Sequence, residues 1–143
     1  MSAMPQLRPA PPTPPPTGGR TDGAFVCQNV VSPLSSVLAH RDVECIRRLF
    51  AAGFPVYLAI HEVRDAAPRQ RDYTEPHAHE EAEINIIIPG PEGLVYEIQI
   101  GEDVFHVSES ASIYVPPNVR HSANVIRGSG HFIAMRLNRG WVP

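Results

Sequence analysis

Three observations in the sequence predict an all-β fold. After residue 55 the chain is a succession of short runs rich in β-branched and aromatic residues, at 56–63, 83–88, 94–100, 104–107, 111–115, 121–126 and 131–137. Turn-forming clusters separate them: Pro89-Gly90-Pro91-Glu92-Gly93, Gly101-Glu102-Asp103, Pro116-Pro117-Asn118 and Arg127-Gly128-Ser129-Gly130. No helical pattern alternates with these runs, which argues against a parallel α/β sheet and leaves a sandwich or a barrel.

The elements follow in chain order. Residues 1–22 contain Pro9-Ala10-Pro11-Pro12-Thr13-Pro14-Pro15-Pro16, followed by Thr17-Gly18-Gly19. Proline removes backbone donors and fixes φ, so this stretch is expected to be a disordered, solvated tail. The remaining residues, 23–143, suffice for one domain with one core, and exclude a two-domain enzyme with a separate cofactor domain. One short helix is expected near the start of this body: Asp42 reads as an N-cap, Val43, Ile46, Leu49 and Phe50 recur at helical spacing, and Gly53 with Pro55 gives a stop. Strand 56–63 has two possible registers, and the one with Tyr57, Ala59, His61 and Val63 inward points His61 into the interior. Strand 94–100 alternates most clearly, with Leu94, Tyr96, Ile98 and Ile100 on the inward face.

Composition narrows the chemistry. All 12 basic residues are arginine, so lysine Schiff bases, a lysine general base and a phosphate-binding P-loop are excluded. A net charge of −3 with scattered arginines gives no footprint for nucleic acid or an anionic membrane. No apolar run approaches the roughly 18 residues of a membrane span, and no secretory signal opens the chain, so a soluble cytoplasmic protein is expected. Cys27 and Cys45 lack the spacing of a thiolate metal site and read as small buried hydrophobes.

The histidines and carboxylates carry the functional signal. In His77-Ala78-His79-Glu80-Glu81-Ala82-Glu83 the two imidazoles stand two residues apart, on one face of an extended chain, and Glu83 can follow on that face. His121 comes after the Pro116-Pro117-Asn118 turn, at the head of a strand. Three imidazoles and a carboxylate suit a divalent metal ion and leave coordination positions for a substrate. Among the remaining candidates, Asn85, Tyr96 and His131 face a pocket by alternation, Tyr73 lies in the loop before the histidines, and His106 reads as a strand residue either at the surface or hydrogen-bonded in the core. Arg120, next to His121, is a candidate clamp for a substrate carboxylate.

His77-x-His79-x3-Glu83-x6-Gly90 resembles the second part of the first cupin motif, and Pro116-x-Asn118-x2-His121 resembles the second motif. Asn118 stands where the family usually has glycine, a change that asparagine tolerates because it readily adopts positive φ. Ser110, Val125 and Arg71 also depart from the usual motif residues and leave the four ligand positions intact. The resemblance covers roughly residues 55–137 and implies a cupin-type β-barrel, the double-stranded β-helix or jelly roll. It further implies one divalent metal on His77, His79, Glu83 and His121, a small-molecule substrate and a homodimer. Among the reactions it implies, the leading expectation is a mononuclear non-haem iron(II) oxygenase with His61, Tyr96 and Arg120 as catalytic residues. The alternative is a non-redox zinc, nickel or manganese enzyme of secondary metabolism, and the third is a ligand-binding cupin without catalysis.

Overall fold

A computed structural model describes residues 21–22, 25–68 and 72–137. Residues 1–20, most of the expected tail, lie outside these, as does Arg71. The strands are β1 (Thr21–Asp22), β2 (Val26–Cys27), β3 (Val30–Val31), β4 (Ile46–Phe50), β5 (Tyr57–Ala66), β6 (Glu83–Ile100), β7 (Asp103–Val107), β8 (Ala111–Val115) and β9 (His121–Arg136). A 3₁₀ turn at Leu34–Ser36 is the only helical element among the described residues, and no helix there is long and apolar enough to cross a membrane. β1 and β2 form a small ribbon. The other strands form one antiparallel barrel sheet in the order β3-β4-β5-β9-β6-β7, with β8 on β6.

Two long strands organise this sheet. β6 pairs with β9 from Glu83↔Arg136 to Ile100↔His121, while its first part also pairs with β8 and its last part with β7. The clusters at 89–93 and 127–130, expected to reverse the chain, therefore do not. They face each other as a bend in both strands, where the register shifts between Pro89 and Leu94. Glycine is required there because β6 and β9 approach backbone to backbone. Gly128 has φ 100°, and a Cβ on it would strike the Gly93 carbonyl; a Cβ on Gly90 would lie 3.1 Å from the Ser129 carbonyl oxygen.

The expected helix is a strand. Ile46 and Arg48 are buried and Arg47 between them is exposed, a period of two, and β4 pairs with β5 from Ile46↔Val63 to Phe50↔Ala59. Asp42 does not cap a following helix. Its carboxylate reaches back to the 3₁₀ turn, accepting from Ser35 N at 3.1 Å and Ser35 Oγ at 2.7 Å. Pairing with β5 thus overrides a local helical spacing, as tertiary context does with weak propensities.

The core lies inside the sheet and gathers Val63, Tyr73, Ile87, Leu94, Tyr96, Ile98, Val125 and Phe132. Tyr96 stacks on Phe132 with centroids 4.9 Å apart. Cys45 packs against this core, Cys27 donates to the Ala52 carbonyl at 3.2 Å, and both thiols are free. The segment leading to the histidines is tied down by Asn124. Its side-chain oxygen accepts from Tyr73 N at 2.8 Å and Thr74 N at 2.9 Å, and its amide donates to the Thr74 carbonyl at 3.1 Å. These bonds satisfy backbone groups that would otherwise be buried unpaired, and they hold the Tyr73 ring in the interior.

Candidate metal centre

His77, His79 and Glu83 arrive on the segment entering β6, and His121 on the first residue of β9. A backbone bridge joins the two segments: His77 N donates to the His121 carbonyl at 3.0 Å and His121 N to the His77 carbonyl at 2.8 Å. The turn before His121 is held at the other histidine, since Asn118 N donates to the His79 carbonyl at 2.8 Å; Asn118 has φ 63°, the positive value expected of it.

Each of the three imidazoles is anchored through Nδ1 to a backbone carbonyl two residues away. His77 bonds Glu75 O at 2.7 Å, His79 bonds Glu81 O at 2.7 Å and His121 bonds Val119 O at 2.8 Å. Such a bond fixes both ring orientation and tautomer, and directs the Nε2 lone pair inward. The three rings have ligand atoms within 4.8 Å of one another. Glu83 reaches two of them, with Oε1 3.0 Å from His79 Nε2 and Oε2 3.9 Å from His121 Nε2. His121 Nε2 is buried and has no hydrogen-bond partner. A buried acceptor left bare among two other imidazoles and a carboxylate fits a cation and is costly without one.

Electrostatics agree with this reading of the donors. Burial pushes the Glu83 carboxyl up, but the neighbouring side chains of His79, Asn85 and His121 outweigh it and hold the group at about 2, so it is a carboxylate. Burial and neighbouring imidazoles lower His77 and His121 against their backbone bonds, which favours the neutral, ligating form.

No protein-family model matches the chain, and no curated protein matches it in sequence. Its structure nevertheless superimposes on solved cupins. A cupin 2 conserved barrel domain protein from Rhodopseudomonas palustris matches with a TM-score of 0.53 and 18% identity over 87% of this chain and 84% of that one. An RmlC-like cupin from Shewanella frigidimarina matches with a TM-score of 0.51 and 14% identity over 79% of this chain and 96% of that one. The chain folds as a cupin. Fe(II) HppE shares the fold as well, with a TM-score of 0.57 and 15% identity over 87% of this chain and 66% of that one.

The interior of this cupin-fold barrel holds several of the other residues singled out in sequence. His61 is 3% exposed and faces the cavity, the inward register of strand β5. Its Nδ1 lies 3.2 Å from the Tyr73 hydroxyl, which lies 3.0 Å from the Tyr96 hydroxyl. Burial keeps both tyrosines protonated by pushing their pKa values well up. Asn85 is buried and donates to Glu83 Oε2 at 2.8 Å. His131 is exposed, and His106 is an exposed partner of Glu97 at 3.1 Å. Arg120 is exposed and does not line the cavity; its backbone carbonyl accepts from Gly101 N at 2.7 Å. The side chain points away because Arg120 immediately precedes the inward His121, and alternation sends neighbours to opposite faces.

Three ionisable cavity residues escaped the sequence reading: His40, Arg48 and Arg136. His40 shares the device of the other histidines, with Nδ1 2.8 Å from the Leu38 carbonyl oxygen and its ring 5.5 Å from that of His77. No spacing rule connects it to residues 77–83. Arg48 was masked by the helical reading of residues 42–50, and Arg136 by lying at the far end of β9.

His61 gives the acid sensitivity of the fold a specific source. Burial, followed by the charges of His40 and Arg48, lowers its pKa from 6.5 to about 3. The unfolded imidazole thus binds a proton at a pH where the folded one does not, and stability present above pH 6.5 is lost as pH falls toward 3. Each pH unit in that window costs up to about 1.4 kcal/mol from this residue. His61→Gln, which keeps a partner for Tyr73, is expected to flatten the dependence of urea stability between pH 7 and 5. A slope equal to that of the unsubstituted chain would mean that the imidazole is solvated.

Proposed function

We propose that this cupin is a metal-dependent enzyme acting on a small polar metabolite, specifically a mononuclear non-haem iron(II) oxygenase. The bare, buried His121 Nε2 among the anchored imidazoles is the observation that carries the reading. His77, His79, Glu83 and His121 would hold the ion, and an iron(II) ion held by them would pass electrons from the substrate, which is the net reductant, to O₂.

The chain's own residues provide the setting. Phe132 and Ala134 give the cavity an apolar wall beside the polar histidine side and exclude water from it. His61, neutral at pH 7, can exchange a proton with substrate at Nε2 while the Tyr73 hydroxyl adjusts the proton at Nδ1, and Tyr96 continues that chain. The cleft at the cavity mouth, lined by His77 and His79 among others, has a volume of about 350 Å³, the scale of a small metabolite.

The same three-imidazole, one-carboxylate donor set would accept zinc, nickel or manganese, and a Lewis-acid reaction without O₂ is the second reading. Elemental analysis of the purified chain, then reconstitution with single metals and turnover with and without air, separates the two. Iron-specific, O₂-dependent activity is expected. Equal rates under nitrogen with zinc, nickel or manganese would replace the oxygenase reading with the non-redox one, and a chain that retains no metal after reconstitution would remove both.

A further inference from the structure

Two arginines line the mouth of the cavity, and one of them, Arg48, lacks the ion pair that a buried charge ordinarily requires. Arg48 is 4% exposed, and on its strand it stands opposite His61, so both side chains leave the same face of the sheet. Its Nη2 donates to the Tyr57 hydroxyl at 3.0 Å, its Nε is buried with no hydrogen-bond partner, and among the described residues it forms no ion pair. Arg136 stands opposite Tyr57 on β5 and opposite Glu83 on β6. Its Nε is buried without a hydrogen-bond partner, and the half-buried guanidinium has only long ion-pair contacts, Nε 3.7 Å from Glu83 Oε1 and Nη1 3.9 Å from Glu81 Oε2.

Aromatic rings fix both guanidinium planes. The Arg48 guanidinium carbon sits 4.8 Å from the Phe50 centroid and that of Arg136 sits 4.4 Å from the Tyr57 centroid. These cation–ring contacts hold the guanidinium groups in place and leave N–H donors beyond the one given to Tyr57 for a ligand. Arg48, Tyr57, His77 and Arg136 line both the inner cavity and the outer cleft, so the two cations and the histidine site share one space. Against them stands Glu83, whose carboxylate is also engaged with His79 and Asn85. A buried cation without a counter-charge is expensive to keep.

We propose that Arg48 and Arg136 form a carboxylate clamp, so that the substrate is a small organic acid held by its carboxylate at the arginines with a second donor group toward His77, His79 and His121. The position of that second group rests on the metal-site reading; the clamp itself rests only on the arginines. It takes over the role that the sequence assigned to Arg120.

The test uses malonate as probe, with malonamide as the neutral isostere and inorganic phosphate as a competing oxyanion. Calorimetry on the full chain, metal-loaded and chelator-stripped, reads anion affinity, and elemental analysis of the same samples reads metal content. Malonate is expected to bind both samples and malonamide neither. Arg48→Gln should weaken malonate by at least about tenfold, in keeping with loss of a charge-assisted hydrogen bond, at unchanged metal content. Arg136→Lys, which keeps the charge and loses the fork, should weaken it as well, and it serves as the readout if Arg48→Gln fails to fold. Malonate affinity unchanged in a folded variant overturns the clamp. Phosphate binding more tightly than malonate at the same arginines overturns the assignment to carboxylic acids. Failure of the metal-site reading appears separately, as absent metal with malonate binding intact.

Discussion

His121→Ala is expected to lower metal affinity by at least about 100-fold, the upper end of what losing even an outer partner of a ligand costs. His121 contributes the bare Nε2, and its ring lies 4.5 Å from that of His77 and 4.8 Å from that of His79, so its removal opens one whole side of the donor cluster. His106→Ala is the matched control, since that imidazole is exposed on β7 and touches only Glu97. Metal content after dialysis against a weak chelator checks the pair. Equal losses in both variants would mean that the ion, if held at all, is held elsewhere. The fold should survive, because the bridge between residues 77 and 121 is made by main-chain atoms that alanine keeps.

The second large effect concerns the bend rather than the site. Gly128→Ala forces a side chain into a φ of 100° and drives its Cβ into the Gly93 carbonyl. Strain at such a φ costs about 1–3 kcal/mol and overpacking a comparable amount, so a loss of about 2–6 kcal/mol is expected, a large share of an ordinary domain's stability. Gly93→Ala isolates the first part, since Gly93 has φ 93° but a Cβ there meets nothing within 4 Å. Urea midpoints for the two variants give the difference. A Gly128→Ala chain no less stable than Gly93→Ala would show that β6 and β9 do not run together through this bend.

The clustering of the candidate donors was readable because its logic is local. A period of two on extended chain places His77 and His79 together, and the Pro116-Pro117-Asn118 turn announces a strand that begins with His121. The face of β5 that carries His61 was narrowed to two choices and needed the pairing with β9, where His61 lies opposite Phe132, to decide between them. What escaped depended on long-range pairing. The glycine and proline clusters at 89–93 and 127–130 have the composition of chain reversals, and only their mutual approach turns them into a bend. β4 was unreadable for a chemical reason: Arg48 occupies an inward position, which breaks the apolar alternation that identifies a strand. The residue that spoiled the structural pattern is the one the cavity uses, the kind of local inconsistency expected at functional positions.

The main-chain bridge between His77 and His121 has a consequence for how this site can change. The spacing between the two ligand-bearing segments is set by peptide groups, at 3.0 and 2.8 Å, and owes nothing to the imidazoles themselves. A different side chain at either position would be delivered to the same place on the same frame. If the site holds a metal as proposed, its preference would therefore change by single substitutions, one donor atom at a time, while the scaffold that presents the donors stays as it was.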